Sequence, residues 1–172
     1  VDGKSFDASA SFLWQYLPFT IRGYQLGVNK LKAGLNVENH PDGTTTFTDS
    51  GIGLFVFPSA LGYYNSSSGV IPAYTPLMFS IELGKFVVDT DYDNDGIPSI
   101  LEDLNGDGIL GNDNTDAAEE ASSFQQALAN HADSDDDNDG IPTREEIVIN
   151  ADGSITFTDS DGDGIPDYLD KD

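Results

Sequence analysis

The stretch DYDNDGIPSILE, residues 91–102, places a carboxylate at every second position, then a glycine, and ends on a glutamate. Like charges at this density repel one another, so the segment indicates either bound cations or an unfolded chain. Calcium loops follow the template D-x-[DN]-x-[DN]-G-x5-E, with oxygen ligands at positions 1, 3, 5 and 12 and a glycine for the sharp turn. The stretch fills this template through Asp91, Asp93, Asp95, Gly96 and Glu102.

The same pattern recurs further along the chain. Two more good copies carry the same D-G-I-P sequence, and a poorer copy directly follows the first. The additional candidate ligands are Asp135, Asp137, Asp139 and Glu146; Asp159, Asp161, Asp163 and the shorter acid Asp170; and Asp103, Asn105 and Asp107, with an end near Asp113 and Asn114. Because all ligands are oxygens, calcium is favoured over zinc, and Mg²⁺ prefers fewer protein ligands and more water. The sequence therefore predicts three to four Ca²⁺ ions, in a register that Asp89 and Asp133 leave slightly open.

Proline at position 8 distinguishes these loops from paired EF-hands. Pro98, Pro142 and Pro166 lack the backbone N–H through which paired loops would bridge. Residues 89–116 and 133–172 instead resemble the thrombospondin type 3 calcium repeats, which implies an irregular chain wrapped around bound ions. The alternative is a disordered acidic tail, and we expect disorder when calcium is absent.

One helix is predicted between the repeats, over 116–130. The apolar side chains that fall on one face of it are Ala117, Ala121, Phe124 and Leu128. Two further segments, PDGTTTFTDS at 41–50 and ADGSITFTDS at 151–160, each combine an Asp-Gly turn with alternating β-forming residues. This pattern predicts a β-hairpin at both places.

The charge of the chain is concentrated in one half. Residues 1–86 hold 6 acidic and 5 basic residues, net −1, whereas residues 87–172 hold 25 acidic and 2 basic residues, net −23. We therefore place a domain boundary after Phe86. A surface this acidic repels nucleic acid and anionic lipid, which argues against either as a partner. The chain has no cysteine and no run of eighteen apolar residues, and because it begins with Val no targeting segment can be read from it.

The neutral half predicts an α+β fold, a mostly antiparallel sheet against one short helix. Strands are expected at about 44–48, 52–57 and 76–86. A helix is expected over 22–32, where Tyr24, Val28 and Leu31 share a face and Gly34 ends it.

Several short motifs of this half occur in the order found in the FKBP-type peptidyl-prolyl cis-trans isomerases. They are DGKSFD, IRGY, PSALGY, GVIP and LMFSIEL, and the resemblance covers residues 2–86. It implies an FKBP-like antiparallel sheet wrapped on a short helix. Asp7, Tyr63 and the backbone N–H of Ile21 would be the catalytic groups, and the substrate-binding walls would be Phe6, Tyr24, Ile71 and Phe79. Two departures are that Tyr24 stands where the family has Trp and that the family's first strands are absent from this sequence.

Two functions follow from this interpretation. The first is an isomerase or folding chaperone that acts on proline-containing polypeptides outside the cytoplasm, with a calcium-stabilised C-terminal module. A dry aromatic pocket suffices for such a reaction, because it needs only to favour the twisted amide. The alternative is a non-catalytic FKBP-like adaptor that docks on a cell-envelope, outer-membrane or protein-secretion complex. Either would lie in the periplasm or at the cell surface, and an anchor to the outer membrane would come from residues ahead of Val1.

Overall fold

The computed structural model describes residues 3–9, 11–123 and 126–171, and the chain divides into two compact units. Val1–Val87 form the N-terminal unit and Val88–Asp172 form the acidic module. The fold is α+β in the broad sense, because it contains small antiparallel sheets and short helices. Within the described ranges, no helix is both long and apolar enough to cross a membrane.

The described residues of the N-terminal unit form one α-helix and two antiparallel pairs of strands. The helix α1 is Arg22–Val28, and the strands are β1 (Leu35–Asn39), β2 (Thr45–Thr48), β3 (Gly51–Phe57) and β4 (Leu77–Leu83). Short 3-10 helices lie at Leu17–Phe19 and Ser59–Leu61. The strands predicted at 44–48, 52–57 and 76–86 correspond to β2, β3 and β4, whereas β1 was not predicted.

The sheet differs from the expected single sheet wrapped on a helix. Among the described residues, β1 pairs only with β2 and β3 only with β4, which gives two separate two-stranded antiparallel sheets. The chain bends between β2 and β3 at Asp49, whose φ of 57° lies in the left-handed region. A register shift between Leu35 and Glu38 further distorts β1. These two irregularities lie where a continuous sheet would have to pass from one hairpin to the other.

Helix α1 packs on β3 through glycines rather than through large side chains. Gly23 and Gly27 are its buried residues. A Cβ atom at Gly27 would lie 2.8 Å from the Phe55 ring, and one at Gly23 would overlap the Phe57 ring. The predicted apolar face of Tyr24, Val28 and Leu31 is therefore not the one that packs most closely. The helix also ends at Val28 rather than at 32, because residues 30 and 31 continue as tighter turns bonded three residues back.

The acidic module has one described α-helix, one hairpin and several 3-10 turns. The helix α2 is Ala117–Ser123, and the hairpin pairs β5 (Ile147–Ile149) with β6 (Ile155–Phe157). The 3-10 helices are Ser99–Glu102, Leu110–Asn112, Asn130–Ala132, Thr143–Glu145 and Asp167–Leu169. The helix predicted over 116–130 is thus shorter than expected. Residues 124 and 125, including Phe124 of its predicted face, lie outside the described residues, and residues 126–129 are not helical.

Both predicted hairpins are confirmed, and their turns are alike. In the first, the His40 N–H donates to the Thr44 carbonyl at 2.8 Å, and the Asp42 carboxylate accepts the Thr44 N–H. In the second, the Asn150 N–H donates to the Ser154 carbonyl at 2.8 Å, and the Asp152 carboxylate accepts the Ser154 N–H. The sequence repeat thus reflects one turn used twice, with the aspartate side chain holding the backbone of the residue two positions on.

The two units have different interiors. In the N-terminal unit Phe57, Ile71 and Leu77 are buried among further aromatic and aliphatic side chains. In the acidic module the apolar cluster is small, with Ile97, Ile147 and Tyr168 at its centre. Most other side chains buried in the module are polar or charged: Asp95, Ser99, Glu102, Asp113, Asp116, Glu120, Asn130, His131, Asp136, Asp137 and Thr143. Buried carboxylates therefore occupy much of the space that apolar residues fill in other domains.

Candidate metal centre

The four acidic repeats adopt one backbone conformation. We number them loop 1 (91–102), loop 2 (103–114), loop 3 (135–146) and loop 4 (159–170). Position 4 has a positive φ in every loop, and so does the glycine at position 6. Residues at position 4 are Asn or Gly, the types that enter the left-handed region most readily. The values at position 6 are 103° at Gly96, 71° at Gly108, 97° at Gly140 and 99° at Gly164.

Aspartate side chains of each loop stabilise this conformation by accepting hydrogen bonds from backbone N–H groups of the same loop. The position-1 carboxylate accepts the N–H of the position-6 glycine in loop 1, where Gly96 donates to Asp91 at 3.1 Å, and in loops 2 and 4 likewise. The position-5 carboxylate accepts the N–H two residues on, as when Ile97 donates to Asp95 at 2.7 Å. The loops are therefore shaped by local hydrogen bonds, which explains why the sequence repeat predicts their geometry.

Proline at position 8 starts the turn that brings position 12 back to the loop. Pro98, Pro142 and Pro166 each precede a 3-10 helix. The N–H at position 9 then donates to the carbonyl of the residue just before the loop. This bond measures 2.9 Å in loop 1, 3.0 Å in loop 3 and 2.9 Å in loop 4. It closes each of these loops through backbone atoms alone.

Loop 1 brings three of its predicted ligands together and buries the fourth, Glu102. Asp91, Asp93 and Asp95 offer oxygens within 4.8 Å of one another. Burial, and then the charge of Asp95, raises the pKa of Asp93 to about 7. Glu102 is fully buried, and burial followed by the charges of nearby aspartates raises its pKa to about 10. Neither Glu102 oxygen has a hydrogen-bond partner in the part of the chain that the structure describes.

Loop 3 repeats this arrangement with its own residues. Asp135, Asp137 and Asp139 again lie within 4.8 Å of one another. Burial, followed by the charges of Asp137, Asp139 and Asp135, raises the pKa of Glu146 to about 7, but Glu146 belongs to none of the carboxylate groups found among the described residues. One oxygen each of Asp135, Asp137 and Glu146 is buried without a partner among the described residues.

Loops 2 and 4 are less complete. In loop 4, Asp159, Asp161 and Asp163 cluster but are exposed, and Asp170 belongs to none of the carboxylate groups found among the described residues. In loop 2, the Asn105 side chain donates to Asp113 at 2.9 Å, and the charges of Asp103 and Asp107 contribute to the raised pKa of Asp113 after burial. The Asn105 and Asp113 side chains of loop 2 are therefore in contact, but no loop 2 residue belongs to the carboxylate groups found among the described residues. Asn114 instead donates to Glu120.

Two further carboxylate groups were missed by the loop template. Asp136, at position 2 of loop 3, groups with Asp95 and Glu102 of loop 1. Asp116 and Glu120 at helix α2 group with Asp133, the residue that left the register open in the sequence. A signal for Asp136 existed, because the equivalent residues are Tyr92 in loop 1 and Ser160 in loop 4. Loop 3 has three consecutive aspartates, and the middle one stands at a position that the template leaves free. This additional acid indicates a further role.

The residues assigned to an isomerase site also lie near one another, in the N-terminal unit. Phe6, Asp7, Tyr63 and Ile71 line a small cavity of about 290 Å³. Ile21 and Phe79 pack in the same apolar cluster as Phe6, Tyr63 and Ile71 but do not line this cavity. Phe79 is covered by three aromatic rings at centroid distances of 5.5 to 5.6 Å, those of Phe6, Tyr24 and Phe57. The predicted walls Tyr24 and Phe79 are therefore packed against other rings and do not line this cavity.

Comparison with known families gives a different relationship from the two resemblances. Residues 92–158, within the acidic module, match the sequence model of the family described as BamM C-terminal. No curated protein and no solved structure matches the chain.

The assignment to FKBP-type isomerases and to thrombospondin type 3 repeats is therefore wrong. The physical reason is that the motifs behind it are short and locally determined. A D-x-D-x-D-G turn is fixed by its own hydrogen bonds, so its spacing indicates ion chemistry without identifying a family. The aromatic motifs of the N-terminal unit likewise describe an apolar core, which many folds share.

Proposed function

We propose that this chain is a non-catalytic adaptor subunit of an outer-membrane protein assembly complex, with an acidic module that is held in shape by calcium. The observation that carries the proposal is the match of residues 92–158 to the BamM C-terminal family. The matched segment includes nearly all of loop 1, the whole of loops 2 and 3, and the hairpin β5–β6. A subunit of such a complex acts outside the cytoplasm, in contact with the assembly machinery of the outer membrane.

The calcium part of the proposal is supported by buried charge without protein partners. Buried carboxylates are normally paired or bound to metal. The acidic module has only two basic residues, Arg144 and Lys171. Lys171 pairs with Glu119 at 3.4 Å, and Glu119 belongs to none of the carboxylate groups among the described residues. Cations from solution are therefore the natural partners of the remaining carboxylates.

Calcium fits the donor set better than other common cations. The groups in loops 1 and 3 supply only oxygen, and calcium takes six to eight oxygen ligands in flexible geometry. Loop 1 would hold an ion through Asp91, Asp93, Asp95 and Glu102, and loop 3 through Asp135, Asp137, Asp139 and Glu146. Loops 2 and 4 are weaker candidates because one contains an asparagine and the other is exposed. The bound ions would supply the positive charge that lets the loops stay folded with their carboxylates ionised.

Calcium would also prepare the module for docking. A flexible acidic segment loses conformational entropy when it binds a partner, and this loss weakens binding. When ions have already ordered the loops, much of that entropy has been lost before the partner arrives. A calcium-ordered module therefore suits an adaptor, whose task is to present a fixed surface.

The proposal is tested by purifying the full-length tagged protein from outer membranes of its source bacterium, in calcium and in EGTA. We expect the barrel subunit of the outer-membrane assembly machinery to co-purify in calcium and to be lost in EGTA. Asp137→Asn should mimic EGTA in part, because it removes a charged ligand of loop 3. Glu145→Gln is the matched control, since it removes the same charge from an exposed neighbour. Co-purification of no assembly component in calcium would overturn the adaptor role.

A further inference from the structure

Three carboxylates from two different loops meet in the interior of the acidic module. Asp95 and Glu102 come from loop 1 and Asp136 from loop 3, and their oxygens lie within 4.8 Å of one another. All three side chains are at most 1% exposed. Both oxygens of Glu102, both of Asp136 and one of Asp95 have no hydrogen-bond partner among the residues that the structure describes. This is the deepest and least satisfied group of polar atoms in the described chain.

The surroundings give these carboxylates little compensation. The charge of Arg144 lowers the pKa of Asp95, but burial raises that pKa by more. The Thr143 hydroxyl lies near Asp136 but accepts the Asp136 backbone N–H at 3.1 Å and does not reach hydrogen-bond geometry with the carboxylate. A buried polar group left without a partner costs about 1–3 kcal/mol, and a charged one more. A cation that several carboxylate oxygens bind at once would therefore stabilise this arrangement.

We propose that a separate Ca²⁺ ion binds between loops 1 and 3, held by Asp95, Glu102 and Asp136. This inference rests on the proposed calcium-bound state of the module and adds a site that belongs to neither loop alone. Glu102 has two oxygens and can serve both the loop 1 ion and the inter-loop ion, and Asp95 can do the same because it also belongs to the loop 1 group. The inter-loop ion joins two segments that are more than thirty residues apart in sequence.

The site makes calcium binding by loops 1 and 3 cooperative. An ion in loop 1 orients Asp95 and Glu102, and an ion in loop 3 fixes the backbone that carries Asp136. Each therefore prepares part of the inter-loop site, and the inter-loop ion in turn favours both ordered loops. Asp136 contributes only to this third ion, which makes it the residue to change.

The test counts the ions bound to the full-length protein by native mass spectrometry and calorimetry. We expect Asp136→Asn to bind one ion fewer than the wild type, with calcium affinity of the remaining loop 1 ion lowered roughly tenfold because a neighbouring ion no longer fixes its ligands. Glu145→Gln, which removes a charge from an exposed position of the same loop, should keep the wild-type count. An unchanged count in Asp136→Asn, with calcium still bound by the wild type, overturns the inter-loop ion alone. If the wild type binds no calcium, both this inference and the calcium part of the proposed function fail.

A second measurement keeps the test decisive when a variant does not fold. Tyr168 is 4% exposed, and the charges of Asp136, Glu102 and Asp95 all act on its hydroxyl. A Tb³⁺ ion in the inter-loop site of the wild type should therefore be sensitised by light absorbed at Tyr168. Tyr168→Phe should lower the terbium luminescence while leaving the number of bound ions unchanged. Luminescence that is identical in the wild type and in Tyr168→Phe would show that no ion sits beside these three carboxylates.

Discussion

Replacing Glu102 by glutamine should change the stability of the acidic module in opposite directions with and without calcium. The Glu102 side chain is fully buried, and neither oxygen has a hydrogen-bond partner among the described residues. Burial, followed by the charge of Asp136 and of the loop 1 aspartates, raises its pKa from 4.5 to about 10. In the metal-free fold this carboxyl group is therefore protonated at neutral pH, whereas in the unfolded chain it is ionised.

The pKa difference gives the sign and the size of the effect. When folding raises the pKa of a carboxyl group, the contribution of that group to the free energy of unfolding is fully present below its pKa in the unfolded chain. The contribution is lost as the pH rises toward the pKa in the folded chain. At about pH 7.5, roughly three units above the unfolded pKa, the metal-free fold is destabilised by about 4 kcal/mol. Glutamine has no ionised form, but its buried amide without a partner costs about 2 kcal/mol. We therefore expect Glu102→Gln to stabilise the metal-free module by about 2 kcal/mol.

In calcium the sign reverses, because glutamine offers one neutral oxygen where the carboxylate offers two charged ones. The assay is urea unfolding of the full-length protein, followed by hydrogen exchange of peptides from residues 88–171, in EGTA and in millimolar calcium. Glu145→Gln, an exposed change in the same module, should shift neither curve by more than about 0.5 kcal/mol. The reasoning is refuted if Glu102→Gln destabilises the module equally under both conditions, since Glu102 would then act through packing alone.

Three other changes test separate parts of the structure. Gly96→Ala should weaken calcium binding, because φ at this position is 103°, whereas Gly111→Ala, which has a negative φ and open space around it, should leave calcium titrations unchanged. Gly23→Ala should destabilise the N-terminal unit by about 1–3 kcal/mol in thermal unfolding, because the new methyl group overlaps the Phe57 ring; wild-type stability of that unit in this variant would show that α1 can move away from β3. The calcium affinity of loop 3 should fall as the pH is lowered below about 7, since Glu146, whose pKa is about 7, must lose a proton to bind the ion there; calorimetry in buffers of different ionisation enthalpy should detect that proton, and a loop 3 affinity that does not change between about pH 6 and 8 would contradict it.

Features that depend on neighbouring residues were the ones that the sequence predicted well. The four loops, the two hairpins and three of the strands follow from turn residues and alternation, which act over a few positions. The approach of Glu102 to Asp95 was predicted because loop and turn together span only twelve residues. Local hydrogen bonds and local sequence patterns account for these features.

Features that depend on distant contacts were missed or misassigned. Asp136 meets Glu102 only because loops 1 and 3 pack together, and no rule within one loop describes that contact. The packed face of α1 was missed because apolar periodicity looks for large side chains, whereas close approach to Phe55 and Phe57 needs none. The FKBP-like sheet was expected from the order of short motifs, but strand pairing is decided by bends such as the one at Asp49, which the motifs do not contain.

The loop aspartates have two tasks, and loop 2 shows that the tasks can be separated. At position 3, one oxygen of Asp93 accepts the N–H of Asp95, and one oxygen of Asp137 accepts the N–H of Asp139, while the second oxygen of each is buried without a partner among the described residues. Asn105 occupies the same position in loop 2, and its side-chain oxygen accepts the Asp107 N–H at 2.9 Å. An asparagine therefore keeps the turn and gives up only the charged oxygen that would face an ion. Asp→Asn changes in loops 1 and 3 should for this reason report ion binding without disturbing the loop, whereas Asp→Ala changes would remove both the ligand and the hydrogen bond that shapes the backbone.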